Sequence, residues 1–277
     1  MAGDTASRTA LGTACMRAAH QLLDAPPRIL EDPVALKLLG PAAARRITEG
    51  VDGYQTPERR GLRAHVVLRS RYAEDRLAAA VRRGVTQYVI LGAGFDTFAL
   101  RQPEWAGPLR IVEVDHAGTQ GTKIAMLAAA GLAMPANAGF AGIDLERESL
   151  RDGLRRHQFP LSEPTFFSWL GVTMYLNEGA IDAVLKSVAA FPAGSEIVLT
   201  FAQPPGDSPS PFQRRAASVG EPWVSYFTPA ALEAKLRGAG FGRVEFLAPE
   251  EAEARYFRPR PPDLPVPRRT SILSASI

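Results

Sequence analysis

The chain has 277 residues, of which 46% are hydrophobic and 22% are charged, and a chain of this size can bury a full globular core. Its 32 basic and 29 acidic residues give a net charge of only +3, and they are scattered, which argues against nucleic-acid binding. The single cysteine, Cys15, excludes an internal disulfide and a cysteine-rich metal site. No signal peptide and no apolar run of about 18 residues is present, so we expect a cytoplasmic protein without membrane contact or bound metal.

Residues 1–85 are predicted to form a mostly helical N-terminal cap. Helices are expected over Thr9–Leu23, from Asp32 to Leu39 and from about Glu58 to Arg83, with a loop from Thr48 to Pro57. Five apolar residues at helical spacing predict the buried face of the third helix: Leu62, Val66, Ala73, Leu77 and Val81.

Residues 86–277 are predicted to form one α/β domain. Strands are expected at Tyr88–Leu91, Arg110–Val114, Ala138–Gly142, Thr165–Leu170, Glu196–Phe201, Arg243–Phe246 and roughly Thr270–Ser276. Helices are expected at Gly118–Ala130, Asn177–Ala190 and Thr228–Ala239. Such alternation indicates a sheet with helices on both faces. A stretch rich in Pro, Ser and Gly predicts an irregular insertion at about residues 202–226, in a position to shape a pocket.

The stretch Tyr88–Leu100 reads YVILGAGFDTFAL, a short strand followed by a glycine turn. Gly92 and Gly94 permit positive φ and the close approach of a ligand to bare backbone. Asp96 and Thr97 are typical helix-capping residues, so we expect a helix to begin there. Strand, turn and helix N-terminus together predict a cradle for a nucleotide-like ligand. The third glycine of the dinucleotide fingerprint is absent, and an ordinary tight turn is the alternative.

Acidic residues end the next two predicted strands. Asp115 follows Gly94 by 21 residues, near the interval of about 20 at which an acidic residue binds a ribose. Asp144 can accept a hydrogen bond from an adenine amino group, while Leu145 packs on the ring. Each aspartate is also a common turn former or helix cap. The glycine turn, Asp115 and the pair Asp144 and Leu145 follow three successive strands. We therefore interpret them together as one nucleotide-binding edge.

Three motifs, LGAGFDT, EVDHAGTQ and FFSWLGVTMYL, resemble the class I S-adenosylmethionine-dependent methyltransferases of the leucine carboxyl methyltransferase type. The resemblance extends over most of the chain and is greatest to bacterial members with a helical N-terminus. It implies a Rossmann-like fold, with a seven-stranded, mostly parallel sheet and a helical N-terminal cap. It also implies an enzyme that uses S-adenosyl-L-methionine as its cofactor.

The resemblance further assigns roles to individual residues. It places Gly92 and Gly94 at the methionine part of the cofactor, Asp115 at the ribose, and Asp144 with Leu145 at the adenine. An arginine directly before an aromatic residue binds the cofactor carboxylate in this family, and Arg71 matches that position. Arg69 is the alternative, because it lies nearer to the apolar face of the helix.

The acceptor is expected to be a small molecule. Eukaryotic relatives carry a lysine where this chain offers only Arg17 and a glutamate where it has Leu170, so the phosphatase tail is not the expected substrate. Tyr175 and Trp223 are candidates for the wall of an acceptor pocket.

Methylation of a carboxylate is the favoured reaction, since the nucleophile is already ionised and needs no base. Hydroxyl methylation with a general base is an alternative, and His116 is then the histidine best placed by sequence. The other histidines are interpreted as surface or structural residues. A nicotinamide-dependent oxidoreductase and a nucleoside-binding protein without turnover remain as other classes. The sequence leaves the oligomeric state and the catalytic residues open.

Overall fold

The computed structural model describes residues 6–206, 208 and 210–277. Helices α1 (Arg8–Leu23), α2 (Pro33–Glu49), α3 (Val51–Tyr54) and α4 (Pro57–Arg82) precede the first strand. The three longer helices begin at the capping side chains of Ser7, Asp32 and Thr56, each of which accepts a backbone N–H of the first turn. In the described part of the chain, no helix is long and apolar enough to cross a membrane.

The second helix was expected to end at Gly40 and Pro41, and its backbone does leave the helical conformation at Gly40, whose φ is 77° and ψ 168°. The unpredicted part is the second helical segment, which continues α2 across this kink to Glu49. Pro41 then opens the second half of the helix, where a missing N–H breaks no hydrogen bond. The predicted loop after Thr48 is correspondingly shorter and contains α3.

The seven strands form one sheet in the order β3-β2-β1-β4-β5-β7-β6. Their bounds are β1 Gln87–Leu91, β2 Arg110–Asp115, β3 Ala138–Gly142, β4 Thr165–Trp169, β5 Glu196–Thr200, β6 Arg243–Phe246 and β7 Ile272–Ser276. Strand β7 pairs antiparallel with β5 and β6, and the other pairs are parallel. This architecture confirms the predicted mostly parallel, seven-stranded α/β fold.

The remaining helices connect these strands. They are α5 (Ala117–Ala129), α6 (Leu150–Arg156), α7 (Glu178–Ala189), α8 (Pro211–Ser218), α9 (Pro229–Ala239) and α10 (Pro249–Ala252). The irregular insertion of the prediction thus contains a helix, α8, which a capping box between Ser210 and Gln213 begins. Helix α6 was not predicted either, because its seven residues are too short to display a helical period.

Both faces of the sheet are buried, as its alternating side chains require. Val89 and Leu91 point into a core shared with α7 and α9, whereas Tyr88 and Ile90 point into a core shared with α4. The buried face of α4 is broader than predicted. Of the five expected residues, Val66, Ala73 and Leu77 are buried, and Leu62 and Val81 are only half-buried. Ala64, Val67, Leu68 and Tyr72 extend this face in the core.

The strand order places a crevice between β1 and β4. From β1 the chain builds β2 and β3 on one side and then crosses to β4 on the other. In open parallel sheets, ligands bind outside the carboxyl ends of the strands at such a switch point.

A buried carboxylate holds the N-terminal helices against this edge. Asp32 is fully buried, and it accepts from Arg17 Nε at 2.9 Å, Thr97 Oγ1 at 2.7 Å and the amide of Ala35 at 3.0 Å, with Arg101 Nε at 3.5 Å. These groups belong to α1, to the loop after β1 and to α2. Asp32 therefore fixes the three segments relative to one another.

We expect Asp32→Ala to lower the free energy of unfolding by about 3–5 kcal/mol, because the substitution leaves the Arg17 guanidinium buried without its counter-charge. Asp152→Ala removes an exposed pair with Arg155 and should cost less than about 1 kcal/mol. Urea unfolding of both variants measures the difference. Equal losses would show that Asp32 is not a structural hub.

Acid should weaken the same interaction. Burial raises the pKa of Asp32, but the Arg17 and Arg101 guanidiniums and its hydrogen bonds outweigh burial and hold that pKa below its usual range. A carboxyl with a lowered folded-state pKa stabilises the protein above its unfolded pKa of about 4, and the stabilisation is lost as the pH falls through the folded value. The acid-induced loss of stability should therefore be shallower in Asp32→Asn than in the native protein.

Candidate functional site

The glycine turn lies at the carboxyl end of β1, beside the crevice. Gly92 and Gly94 have φ values of +63° and +54°. A Cβ at Gly92 would lie 2.3 Å from Val172 Cγ2, and one at Gly94 would lie 3.1 Å from the Cβ of Ala10. The loop after β4 and helix α1 thus approach the turn so closely that only glycine fits there.

The helix predicted to follow this turn does not form, and only a short 3-10 helix, Phe98–Leu100, is present. The carbonyls of two consecutive residues accept from buried cations instead of helical amides. Phe95 O accepts from Arg17 Nη2, and Asp96 O accepts from Lys123 Nζ at 2.6 Å. These side-chain contacts hold the loop in an irregular shape.

A second buried pair supports that arrangement from β2. Lys123 pairs with Glu113, and both side chains are almost completely inaccessible. Burial raises the pKa of Glu113 to about 7, although the Lys123 ammonium opposes the shift. The pair joins α5 to β2 directly beneath the turn.

Asp115 bridges the turn and the end of β2. Its Oδ2 accepts the amide of Gly94 at 2.5 Å, and its Oδ1 accepts the amide of His116 at 2.7 Å. Burial raises the pKa of Asp115, against the opposing effect of these hydrogen bonds. A carboxylate has about four acceptor positions, so further hydroxyl donors can bind.

The tip of β3 lies next to that of β2, since Asp115 pairs with Gly142 in the sheet. Asp144 Oδ2 is 4.0 Å from His116 Nε2, and Leu145 is buried. The structure thus brings together Asp115, Asp144 and Leu145. His116 caps α5, accepting the amide of the second helical residue on Nδ1 at 3.3 Å.

The two candidate arginines of α4 point to different places. Arg71 is 48% exposed and pairs with Asp75 at 2.9 Å, so the structure does not bring it to the edge where the other predicted residues meet. Arg69 is half-buried and packs on the backbone at the end of β4, where a Cβ on Gly171 would lie 2.5 Å from its Nη1.

The guanidinium of Arg69 makes no hydrogen bond and no ion pair with the residues that the structure describes. Burial and the charge of Arg17 lower its pKa to about 10, while Tyr175 and Asp96 oppose the shift. A half-buried guanidinium without a carboxylate partner favours the binding of an anion.

His65 lies one helical turn before Arg69 and was interpreted from sequence as structural. It is half-buried, and its ring makes no hydrogen bond within the described residues. Burial, assisted by the Arg69 charge, lowers its pKa to about 3, so the imidazole is neutral at physiological pH. The four-residue spacing to Arg69 was the only signal in the sequence.

Tyr175 and Trp223 meet at the same edge. Tyr175 ends a 3-10 helix after β4, and its ring contacts that of Trp223 edge-on, with 6.5 Å between centroids. The amides of Val224 and Ser225 donate to the carbonyl of Met174, at 2.7 and 3.3 Å. The insertion is thereby joined to the β4 loop.

The insertion also holds the start of α1. Glu221 accepts from the amides of Arg8 and Thr9, at 2.7 and 3.2 Å, and from the hydroxyls of Ser7 and Thr9. Its carboxylate is thus used almost entirely by the first turn of α1, which lies over the glycine turn. We call this contact the Glu221 latch.

Comparisons with known proteins agree with this geometry. The family model described as leucine carboxyl methyltransferase matches residues 10–189, more than half of the chain. A Bacillus subtilis protein named "Putative S-adenosyl-L-methionine-dependent methyltransferase YktD" is 32% identical over 206 residues, covering 72% of this chain and 67% of that protein. A Mycobacterium marinum protein with the same description is 30% identical over 229 residues, covering 80% and 74%.

Two solved structures share the fold. One is a Thermobifida fusca protein described as a "putative methyltransferase", with a TM-score of 0.58, 19% identity and coverage of 99% of this chain and 96% of that one. The other is a DUF574 family protein of Streptomyces avermitilis, with a TM-score of 0.56, 16% identity and coverage of 94% and 96%.

Breaking the Glu221 latch should loosen the first turn of α1. Hydrogen bonds to a charged group contribute about 1.5–3 kcal/mol, so Glu221→Ala should speed amide hydrogen exchange at residues 8–12 by roughly ten- to hundredfold. Glu104→Ala, which removes an exposed carboxylate without an ion pair among the described residues, is the control. Unchanged exchange in Glu221→Ala would mean that packing alone holds this turn.

Proposed function

The chain belongs to the leucine carboxyl methyltransferase family and is an S-adenosylmethionine-dependent methyltransferase, and we propose that it methylates an oxygen of a small-molecule acceptor at a carboxylate. This family membership excludes two functions that the sequence had left open, a nicotinamide-dependent oxidoreductase and a nucleoside-binding protein without turnover. The observation that carries the proposal is the unpartnered Arg69 guanidinium at the switch point of the sheet. The choice of a carboxylate rests on the activity that the family is named for.

The residues at this edge fit the cofactor. Arg69 would hold its carboxylate, and the bare backbone of Gly92 and Gly94 would take its amino-acid part. Asp115 would accept the ribose hydroxyls. Asp144 and Leu145 would flank the adenine, as the resemblance implies. When bound, S-adenosylmethionine supplies an electrophilic methyl group on a sulfonium sulfur.

The role of the protein itself is to position the cofactor and the acceptor and to exclude water from the site. Helix α1 and the Glu221 latch lie over the glycine turn, while the rings of Tyr175 and Trp223 stand beside the end of β4. Holding two reactants in line can contribute about 7–11 kcal/mol toward lowering the barrier. A carboxylate acceptor requires no general base, which is consistent with the low pKa of His65 and the capping role of His116.

Arg69→Ala should weaken binding of S-adenosylhomocysteine by roughly ten- to hundredfold, as expected for the loss of a charge-assisted hydrogen bond. Arg71→Ala is the matched control from the same helix and should leave the affinity unchanged. Adenosine, which lacks the carboxylate, should bind all three proteins alike. Calorimetry with both ligands tests the assignment, and a selective loss in Arg71→Ala alone would return the role to Arg71.

Methylation of a carboxylate gives an ester that mild alkali cleaves, whereas an aryl ether survives. With tritiated methyl donor and a panel of small carboxylic acids and phenols, we expect the transferred label to be released as methanol by alkali. The rate should be nearly flat between about pH 6 and 8, since a carboxyl with a pKa near 4 stays ionised. Alkali-stable product and a rate that rises with pH would indicate a hydroxyl acceptor.

A further inference from the structure

His65 differs from the other histidines in its surroundings. His20 is fully buried, with Nδ1 2.7 Å from Asp24 and Nε2 accepting the amide of Leu30 at 3.4 Å. His116 caps a helix, and His157 is exposed to solvent. His65 is half-buried inside the fold, and neither of its ring nitrogens has a hydrogen-bond partner in the described part of the chain.

Its position relates it to the reaction. It lies four positions before Arg69, so both side chains lie on one face of α4 and the histidine is displaced by about 6 Å along the helix. Arg69 reaches the end of β4 at Gly171, close to Tyr175. If Arg69 takes the cofactor carboxylate, His65 is the next polar group along the same wall.

We propose that His65 binds the acceptor, donating one ring N–H to the carboxylate that is methylated. This inference rests on the proposed function and adds to it the residue that orients the acceptor. Nothing in the sequence motifs points to this position. The supporting observation is the pair of unused nitrogens beside an unused guanidinium.

The charge that acts on His65 is that of Arg69, on the same helix. Arg69 in turn is influenced by Arg17 on α1, which is paired with Asp32, by Tyr175 after β4 and by Asp96 after β1. Burial, assisted by the Arg69 charge, keeps the imidazole neutral. A neutral donor orients a carboxylate without forming the ion pair that would weaken its oxygen as a nucleophile.

The methyl transfer can then proceed without a general base. The free carboxylate oxygen forms a bond to the methyl carbon, and the carbon–sulfur bond breaks with its electron pair left on sulfur. No proton has to move, so His65 needs only to donate a hydrogen bond throughout. A role as general base would require the ring to take up a proton, which its position beside Arg69 disfavours.

The test compares His65→Ala with His65→Gln, which keeps an N–H donor but cannot serve as a base, and with His157→Ala as an exposed control. The probes are benzoate and 4-hydroxybenzoate, the latter offering both a carboxylate and a phenol. We expect kcat/KM for ester formation to fall roughly ten- to hundredfold in His65→Ala and to recover largely in His65→Gln. The affinity for S-adenosylhomocysteine should stay the same in all variants, which separates this role from that of Arg69.

Equal ester formation in all variants would overturn the inference and leave the proposed function intact. If the native protein methylates the phenol of 4-hydroxybenzoate and both His65 variants lose this activity, His65 acts as a general base. That result would overturn both the inference and the proposed methylation of a carboxylate. Should neither probe be methylated, the ring signals of His65 decide the question by nuclear magnetic resonance. In protein loaded with S-adenosylhomocysteine, benzoate should shift them saturably, and signals that do not move would refute the contact.

Discussion

The buried carboxylate of Asp32 couples the N-terminal helices to the ligand-binding edge. Arg17, which pairs with Asp32, also donates to the carbonyl of Phe95, and Thr97 of the same loop donates to Asp32. The shape of the glycine turn therefore depends on how α1 and α2 are docked. A helical segment attached only by apolar contacts would slide with little penalty, whereas directional bonds to one buried carboxylate specify a single position.

Arg69 differs from the buried cations of this fold in its partners. The buried cations each have a carboxylate: Arg17 with Asp32, Arg63 with Asp24, Lys123 with Glu113 and Arg260 with Asp263. Arg69 has none within the described residues. A half-buried guanidinium is less well hydrated than an exposed one, so it gains more from pairing with an anion. This is the physical basis on which we propose that Arg69 holds the cofactor carboxylate where the strand order reverses.

Much of this fold could be predicted from the sequence, because apolar periods and glycine turns are local signals. The seven strands lie within two residues of their expected bounds, and the family was identified from three motifs. The helix expected after Gly94 was wrong, and the loop there is held instead by bonds from Arg17 and Lys123, which both come from distant segments. Helical spacing alone placed Arg69 nearer than Arg71 to the apolar face of α4, and the structure agrees, with Arg69 half-buried and Arg71 48% exposed. The choice of Arg71 came from the family resemblance.

The two ends of α1 are held by contacts of different kinds. Its last turn carries His20, which is fully buried with Asp24, and that aspartate accepts two hydrogen bonds from Arg63 at 2.7 and 2.8 Å. Its first turn is held by Glu221, whose donors lie nearer to solvent. Opening the last turn would break buried ion pairs and expose the apolar side chains of Ala18 and Ala19, whereas opening the first turn exchanges hydrogen bonds to Glu221 for hydrogen bonds to water. The first turn therefore opens at a lower free-energy cost, and it is the part of α1 that lies over Gly94, where the cofactor is expected to bind.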